Sequence, residues 1–194
     1  MYTNQFDLQF KLIFLSLQKV QKKKVAVSLS LIPVKESDKP FLIELYSSTR
    51  AEEMATVPWS DEQKQAFLQK QFEAQNISYR ERYPNASFDI IKLNDERIGR
   101  FYLAELADEI RIIDLAVLPQ HFNREFYIKL IEKVLKKGEI DGKPVQIYLE
   151  SFNPLAEIFA RLGFQKAGEH GIYFLWRHLS AVVEVAVKSS AINA

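Results

Sequence analysis

The stretch that most constrains this chain is IRIIDLAVLPQHFNREFYIKLIEKVL, residues 110–135. Its first eight residues are aliphatic at nearly every position, which suits a strand buried on both faces. Pro119 ends that strand, because proline donates no ladder hydrogen bond and biases the residue before it away from helix. Beyond it, Phe126, Leu130, Ile131, Val134 and Leu135 recur at helical spacing, with Asn123 placed to cap the helix and Gly138 to terminate it near Lys137. A strand that turns at once into an amphipathic helix calls for a sheet covered by helices, and phosphate-binding corners are often built this way. Yet the turn contains no glycine: Phe122, Asn123, Glu125, Phe126 and Tyr127 stand where a phosphate would need open backbone.

The remaining pattern extends the sheet on both sides. Residues 25–34, VAVSLSLIPV, read as a first strand. Ser37 and Asp38 are placed to cap a helix with Pro40 in its first turn and Phe41, Leu42, Leu45 and Tyr46 on its buried stripe. Pro58 breaks that helix, and Ser60 or Asp61 opens a second one to about Tyr83. SFDIIKL, RIGRFYLAEL and EIRIIDLAVL, separated by turns at Asn94–Asp95 and near Asp108, predict an antiparallel meander. After the central helix come a strand, KPVQIYLE, a short helix, NPLAEIFARLG, and a late strand, GIYFLWRHL. The expected class is α/β (α+β): a mixed, mostly antiparallel sheet of six to seven strands flanked by about four helices, two early and two late.

The 194 residues suit a single domain over 25–179, with an N-terminal extension at 1–24 and a tail at 180–194. Within that tail AVVEVAV reads equally as an added strand or an interaction edge. Twenty-six basic against 25 acidic side chains leave a net charge of +1, which gives nucleic acid or an anionic membrane no field to follow. The absence of cysteine excludes disulfides, thiolate metal sites and thiol nucleophiles, and His121, His170 and His178 lack metal-ligand spacing, so no metal is expected. No segment approaches the roughly 20 apolar residues of a bilayer span, and the N-terminus has its basic residues after its apolar run, the reverse of a signal peptide. A cytoplasmic protein is the expectation.

The order of elements, with IRIIDLAVLP before a helix and NPLAEIFARLGF after the next strand, resembles the GNAT superfamily of acyl-CoA-dependent N-acyltransferases over about residues 27–178. The resemblance implies that two neighbouring strands part and that the pantetheine arm of acetyl-CoA or another acyl-CoA lies in the gap, on the main chain of Leu115, Ala116 and Val117. It also implies a basic residue and three glycines after the proline, where main-chain N–H groups hold the diphosphate. Here those positions are Phe122, Asn123, Glu125 and Tyr127, and all four depart from the pattern. Arg124, at a variable position, offers partial compensation for the lost charge. The asparagine that often contacts CoA is kept as Asn153, which serves equally as a helix cap before Pro154.

The chemical residues are mixed. Where many members carry the tyrosine that reprotonates the thiolate, this chain has Phe159; Tyr148, Ser151 and Tyr173 are candidate substitutes. Asp114 interrupts an apolar strand where the family often places a carboxylate that accepts the amine's proton, and Glu150 at the end of the next strand is the second candidate base. The plainer role for Asp114 is to pair with Arg111 or another cation. Glu52 and Trp59 are candidates for binding a cationic amine, although such a tryptophan also serves as an apolar anchor between helices. The implied activity is acyl transfer from acyl-CoA to a small-molecule or peptide primary amine. The alternative is a catalytically inactive binding or interaction protein that has lost the diphosphate site, and a homodimer with a continued sheet is compatible with either.

Overall fold

A computed structural model of the chain describes residues 28–180, so the expectations for 1–24 and for the AVVEVAV segment lie outside the described residues. Seven strands form one sheet: β1 (Leu29–Pro33), β2 (Ser87–Leu93), β3 (Glu96–Glu105), β4 (Ile110–Val117), β5 (Val145–Glu150), β6 (Gln165–His170) and β7 (Tyr173–His178). They lie in the order β1-β2-β3-β4-β5-β7-β6, and β4 with β5 is the one parallel pair. The helices are α1 (Lys39–Thr49), α2 (Ala51–Ala55), α3 (Asp61–Arg82), α4 (Arg124–Asp141) and α5 (Ala156–Arg161).

Period-2 alternation sends neighbouring residues of a strand to opposite faces, and Ile90 and Ile91 show the result. Ile90 joins Leu42, Tyr46, Leu68 and Phe72 in a core beneath α1 and α3, whereas Ile91 joins Leu130, Ile131 and Val134 of α4 and Ile158 and Phe159 of α5 in a larger core on the other face. No helix among the described residues is long and apolar enough to cross a membrane.

The parting of β4 from β5 begins with one extra residue. Tyr102 pairs with Asp114 and Leu103 with Ile112, so Ile113 is a bulge on β4. The bulge shifts the phase: Ile110 and Ile112 before it, and Leu115 and Val117 after it, all face the large core, and Asp114 is left on the α1/α3 side. Pairing with β5 covers only Ile110–Val145, Arg111–Gln146 and Ile112–Ile147, and it stops where the bulge begins.

Several local expectations change. Gly138 does not end α4; it is buried within the helix, where a Cβ would lie 2.8 Å from Val145 Cγ2, and the helix continues to Gly142 at φ 63°. Asp38 does not bond the first turn of α1: its carboxylate accepts the Lys35 N–H at 2.8 Å and pairs with Arg97 at 3.0 Å. Ser60 is the cap of α3, accepting the Gln63 N–H while the Gln63 side chain accepts that of Ser60. The first helix splits at Arg50 into α1 and α2, giving three early helices. The late strand is half of a hairpin, because β6, exposed at every residue, has no apolar alternation to announce it.

Candidate functional site

Two carboxylates predicted as bases lie on the strands that part, and both are held by arginines. Asp114 accepts from Arg100 Nη2 at 2.7 Å and from the Tyr79 hydroxyl at 3.2 Å, and Gln75 of α3 holds the same guanidinium at 2.9 Å. The partner of Asp114 is therefore Arg100 on β3; Arg111 pairs instead with Glu109. Glu150, at the end of β5, accepts from Arg50 Nη1 at 3.1 Å and from the Tyr173 hydroxyl at 3.4 Å, and Arg50 also holds Glu53 at 2.9 Å. Tyr46 ties the two groups together, with Arg50 and Arg100 lying 5.8 and 6.0 Å from its ring centre.

The electrostatics follow from burial. Burial alone would drive a proton off Arg100, but the Asp114 carboxylate outweighs it and holds the guanidinium charged. Burial likewise works against the charge of Arg50, and Glu53 and Glu150 reverse the balance. Tyr79 is pushed well above the usual phenol range by burial and then by the Asp114 charge. Tyr173 is raised by burial and by Glu150, so its phenol keeps its proton at neutral pH.

On the other side of β4 lies the gap. Leu118 donates its N–H to Ile98 of β3, so by ladder alternation the main chain of Ala116 also faces β3, while the N–H groups of Leu115 and Val117 face the parting. Of the three residues expected along the slot, the main chain of two is turned into it.

The corner at the end of β4 is filled by its own chain. Asn123 Oδ1 accepts the Glu125 N–H at 2.8 Å, and the Asn123 carbonyl accepts those of Phe126 at 3.0 Å and Tyr127 at 3.4 Å. Arg124 is engaged by Glu157. Tyr127 is 4% exposed, with its ring tilted on Phe122 at 5.4 Å. Three main-chain N–H groups of the corner thus end on Asn123 itself, and a buried phenol ring stands beside them.

The other predicted residues fall in place unevenly. Asn153 is not the cap of α5, which is Leu155; the Asn153 Oδ1 accepts the Leu155 N–H at 2.9 Å in the turn ahead of the helix. Trp59 packs edge-on against Phe67 of α3 at 5.3 Å, and Glu52 is exposed on α2; neither bonds to Asp114 or Glu150 among the described residues. Phe159 is fully buried, edge-on to Phe164. Tyr148 stacks under Arg111. Sequence reasoning missed Arg50 and Arg100; the one available signal was a basic residue, Arg100, inside the alternating strand RIGRFYL. No group of three or more His, Asp or Glu side chains able to hold a metal occurs among the described residues.

A sheet whose central parallel pair parts beside a β-bulge, followed by Pro119 and a helix, has counterparts among solved structures. The PaiA N-acetyltransferase of Thermoplasma acidophilum, in complex with coenzyme A, superposes with a TM-score of 0.59 at 15% identity, over 78% of this chain and 99% of its own. The chain has the GNAT fold. An acetyltransferase from Thermus thermophilus gives 0.57 at 16% identity, over 79% and 97%. The spermidine N-acetyltransferase of Vibrio cholerae, in complex with CoA and spermine, gives 0.53 at 15% identity, over 80% and 98%. No family model matches the chain and no curated protein matches it. At these identities the likeness to GNAT structures is one of architecture.

Proposed function

We propose that this protein is a GNAT-type N-acyltransferase that moves an acetyl or other acyl group from an acyl-CoA thioester to a primary amine in the cytoplasm. The observation that carries the proposal is the end of β4/β5 pairing at Ile112–Ile147, which leaves the Leu115 and Val117 N–H groups without a strand partner on the β5 side. An extended, amide-bearing arm can pair with such an edge as a strand would.

Glu150 is the better base of the two carboxylates. Protonating Asp114 would strip the fully buried Arg100 of its counter-charge, whereas Glu150 lies at a strand end beside a half-exposed tyrosine. Glu150 takes the proton of the attacking amine, and the Leu115 N–H meets the developing oxyanion. As the C–N bond forms and the C–S bond breaks, Tyr173 supplies the proton for the departing sulfur, in place of the buried Phe159. Asp114, Arg100 and Tyr79 form a hydrogen-bonded cluster on the α1/α3 side of β4.

The test is thiol release from acetyl-CoA with polyamines, lysine peptides and N-terminal peptides as acceptors. Amine-dependent release is expected, reduced about 10²–10³-fold by Glu150→Gln. Release that no amine accelerates rejects the proposal. A non-catalytic protein of the same fold is the second reading, favoured by the filled corner at Asn123–Tyr127; ligand binding without any thiol release is its signature.

A further inference from the structure

Pairing across β4, β5 and β7 makes Arg111, Gln146 and Arg177 direct neighbours on one face of the sheet, the face opposite the large core. Arg111 is answered within the chain: it pairs with Glu109, donates to Gln146 Oε1 at 3.3 Å and lies 4.9 Å from the centre of the Tyr148 ring. Arg177 has no such partner. Its Nε is buried without an acceptor, and among the described residues no carboxylate pairs with its guanidinium. Gln146, 5% exposed, accepts on its side-chain oxygen, while its amide nitrogen has no acceptor among the described residues. Donors withdrawn from water and left without an acceptor cost free energy that a bound acceptor would recover. On the same face, Tyr148 opposite Leu175 comes next along the two strands, followed by Glu150 opposite Tyr173. One row of side chains therefore runs along β5 from Gln146 and Arg177 to the proposed base, four residues or about 13 Å away.

We propose that Arg177 and Gln146 form a carboxylate-binding site, and that the acceptor is a primary amine carrying a carboxylate about 13 Å from its nitrogen, as a short extended peptide with a free C-terminus does. The identity of the acceptor rests on the transferase reading, whereas the carboxylate site does not. Two guanidiniums against the single Glu109 carboxylate leave one positive charge in the row. One carboxylate neutralises it, whereas a doubly charged phosphate would exceed it and be repelled by Glu109. The planar fork of an arginine meets both oxygens of a carboxylate in parallel N–H···O bonds, and the Gln146 amide adds a donor from the facing strand. Between the two ends, Tyr148 and Leu175 give the body of the acceptor a ring and an aliphatic side chain to lie on. A free polyamine meets the opposite situation, because its far ammonium would face the uncompensated guanidinium of Arg177.

The experiment uses the full chain, with tetraglycine and its C-terminal amide as acceptors of matched length, and glycine and glycinamide as a pair too short to span the row. Binding is read from the Arg177 Nε–H resonance and turnover from thiol release with acetyl-CoA. Tetraglycine is expected to shift that resonance and to show a KM at least tenfold below that of its amide, whereas glycine and glycinamide differ far less. Arg177→Met keeps the reach of the side chain and removes its charge, so it is expected to make the two tetrapeptides equal; Arg177→Lys is expected to restore part of the preference. The wild-type comparison needs no variant and decides the matter even if Arg177→Met folds poorly. An Nε–H resonance indifferent to tetraglycine, or equal KM for the acid and the amide, overturns the carboxylate site. A shift with tetraglycine but not its amide, with no thiol release for any amine, upholds the site and overturns the transferase reading.

Discussion

At the scale of single residues, the pair Arg100–Asp114 shows how one strand bulge converts an apolar ladder into a charged wall. With its guanidinium 4% exposed, Arg100 depends on Asp114 for charge and hydrogen bonding alike. Asp114→Asn is therefore expected to destabilise the fold by roughly 3–5 kcal/mol, whereas replacing both partners with apolar residues of similar size costs far less; urea unfolding of the two variants checks the difference. The buried phenols give a pH signature. Burial raises Tyr79 and Tyr127 and pushes Tyr102 up to about 12. Each folded value lies above the unfolded one near 10, so the unfolded chain loses its protons first. Stability is complete below about pH 10 and falls as pH rises beyond it, by up to about 1.4 kcal/mol per pH unit for each phenol. Tyr127→Phe removes one of these three phenols, and a shallower alkaline slope in urea titrations is the expected readout.

At the scale of elements, the turn from β4 into α4 decides what the slot can hold. Three N–H groups of the corner already end on Asn123, and Glu125 adds an exposed carboxylate beside them. On the proposed transferase function, removing the adenosine diphosphate portion of the donor should change KM by no more than a few-fold, and steady-state rates with acetyl-pantetheine against acetyl-CoA measure it. A large loss with the shorter donor would show that the corner still reads phosphate. The close approach of β3 to β4 makes a second demand. A Cβ on Gly99 would lie 2.3 Å from the Ala116 carbonyl oxygen, which is main chain and cannot step aside. Gly99→Ala is expected to cost about 1–3 kcal/mol by forcing the ladder apart at its tightest point, read as a lower thermal midpoint.

At the scale of the molecule, the sequence displayed the meander, the proline corner and the Asn153–Phe164 segment clearly, because apolar alternation and helical spacing register burial directly. It hid β6, whose residues face solvent on both sides, and the true end of α4, because Gly138 serves close packing against Val145 rather than termination. In the site, the carboxylates were legible as charges out of place in apolar strands. Their partners were not, since Arg50 lies 100 residues from Glu150 and only the folded sheet brings them together. The departures at the corner were visible letter by letter, but the packing of Tyr127 against Phe122 and into the large core needed three dimensions.

Four strands on one side of the gap and three on the other are joined by three rungs, Ile110–Val145 to Ile112–Ile147. Such a seam is a mechanical weak line. Pulled from its outer strands, the sheet will shear there first, and a molecule that grips in the gap spans the same line from which the two halves would otherwise separate.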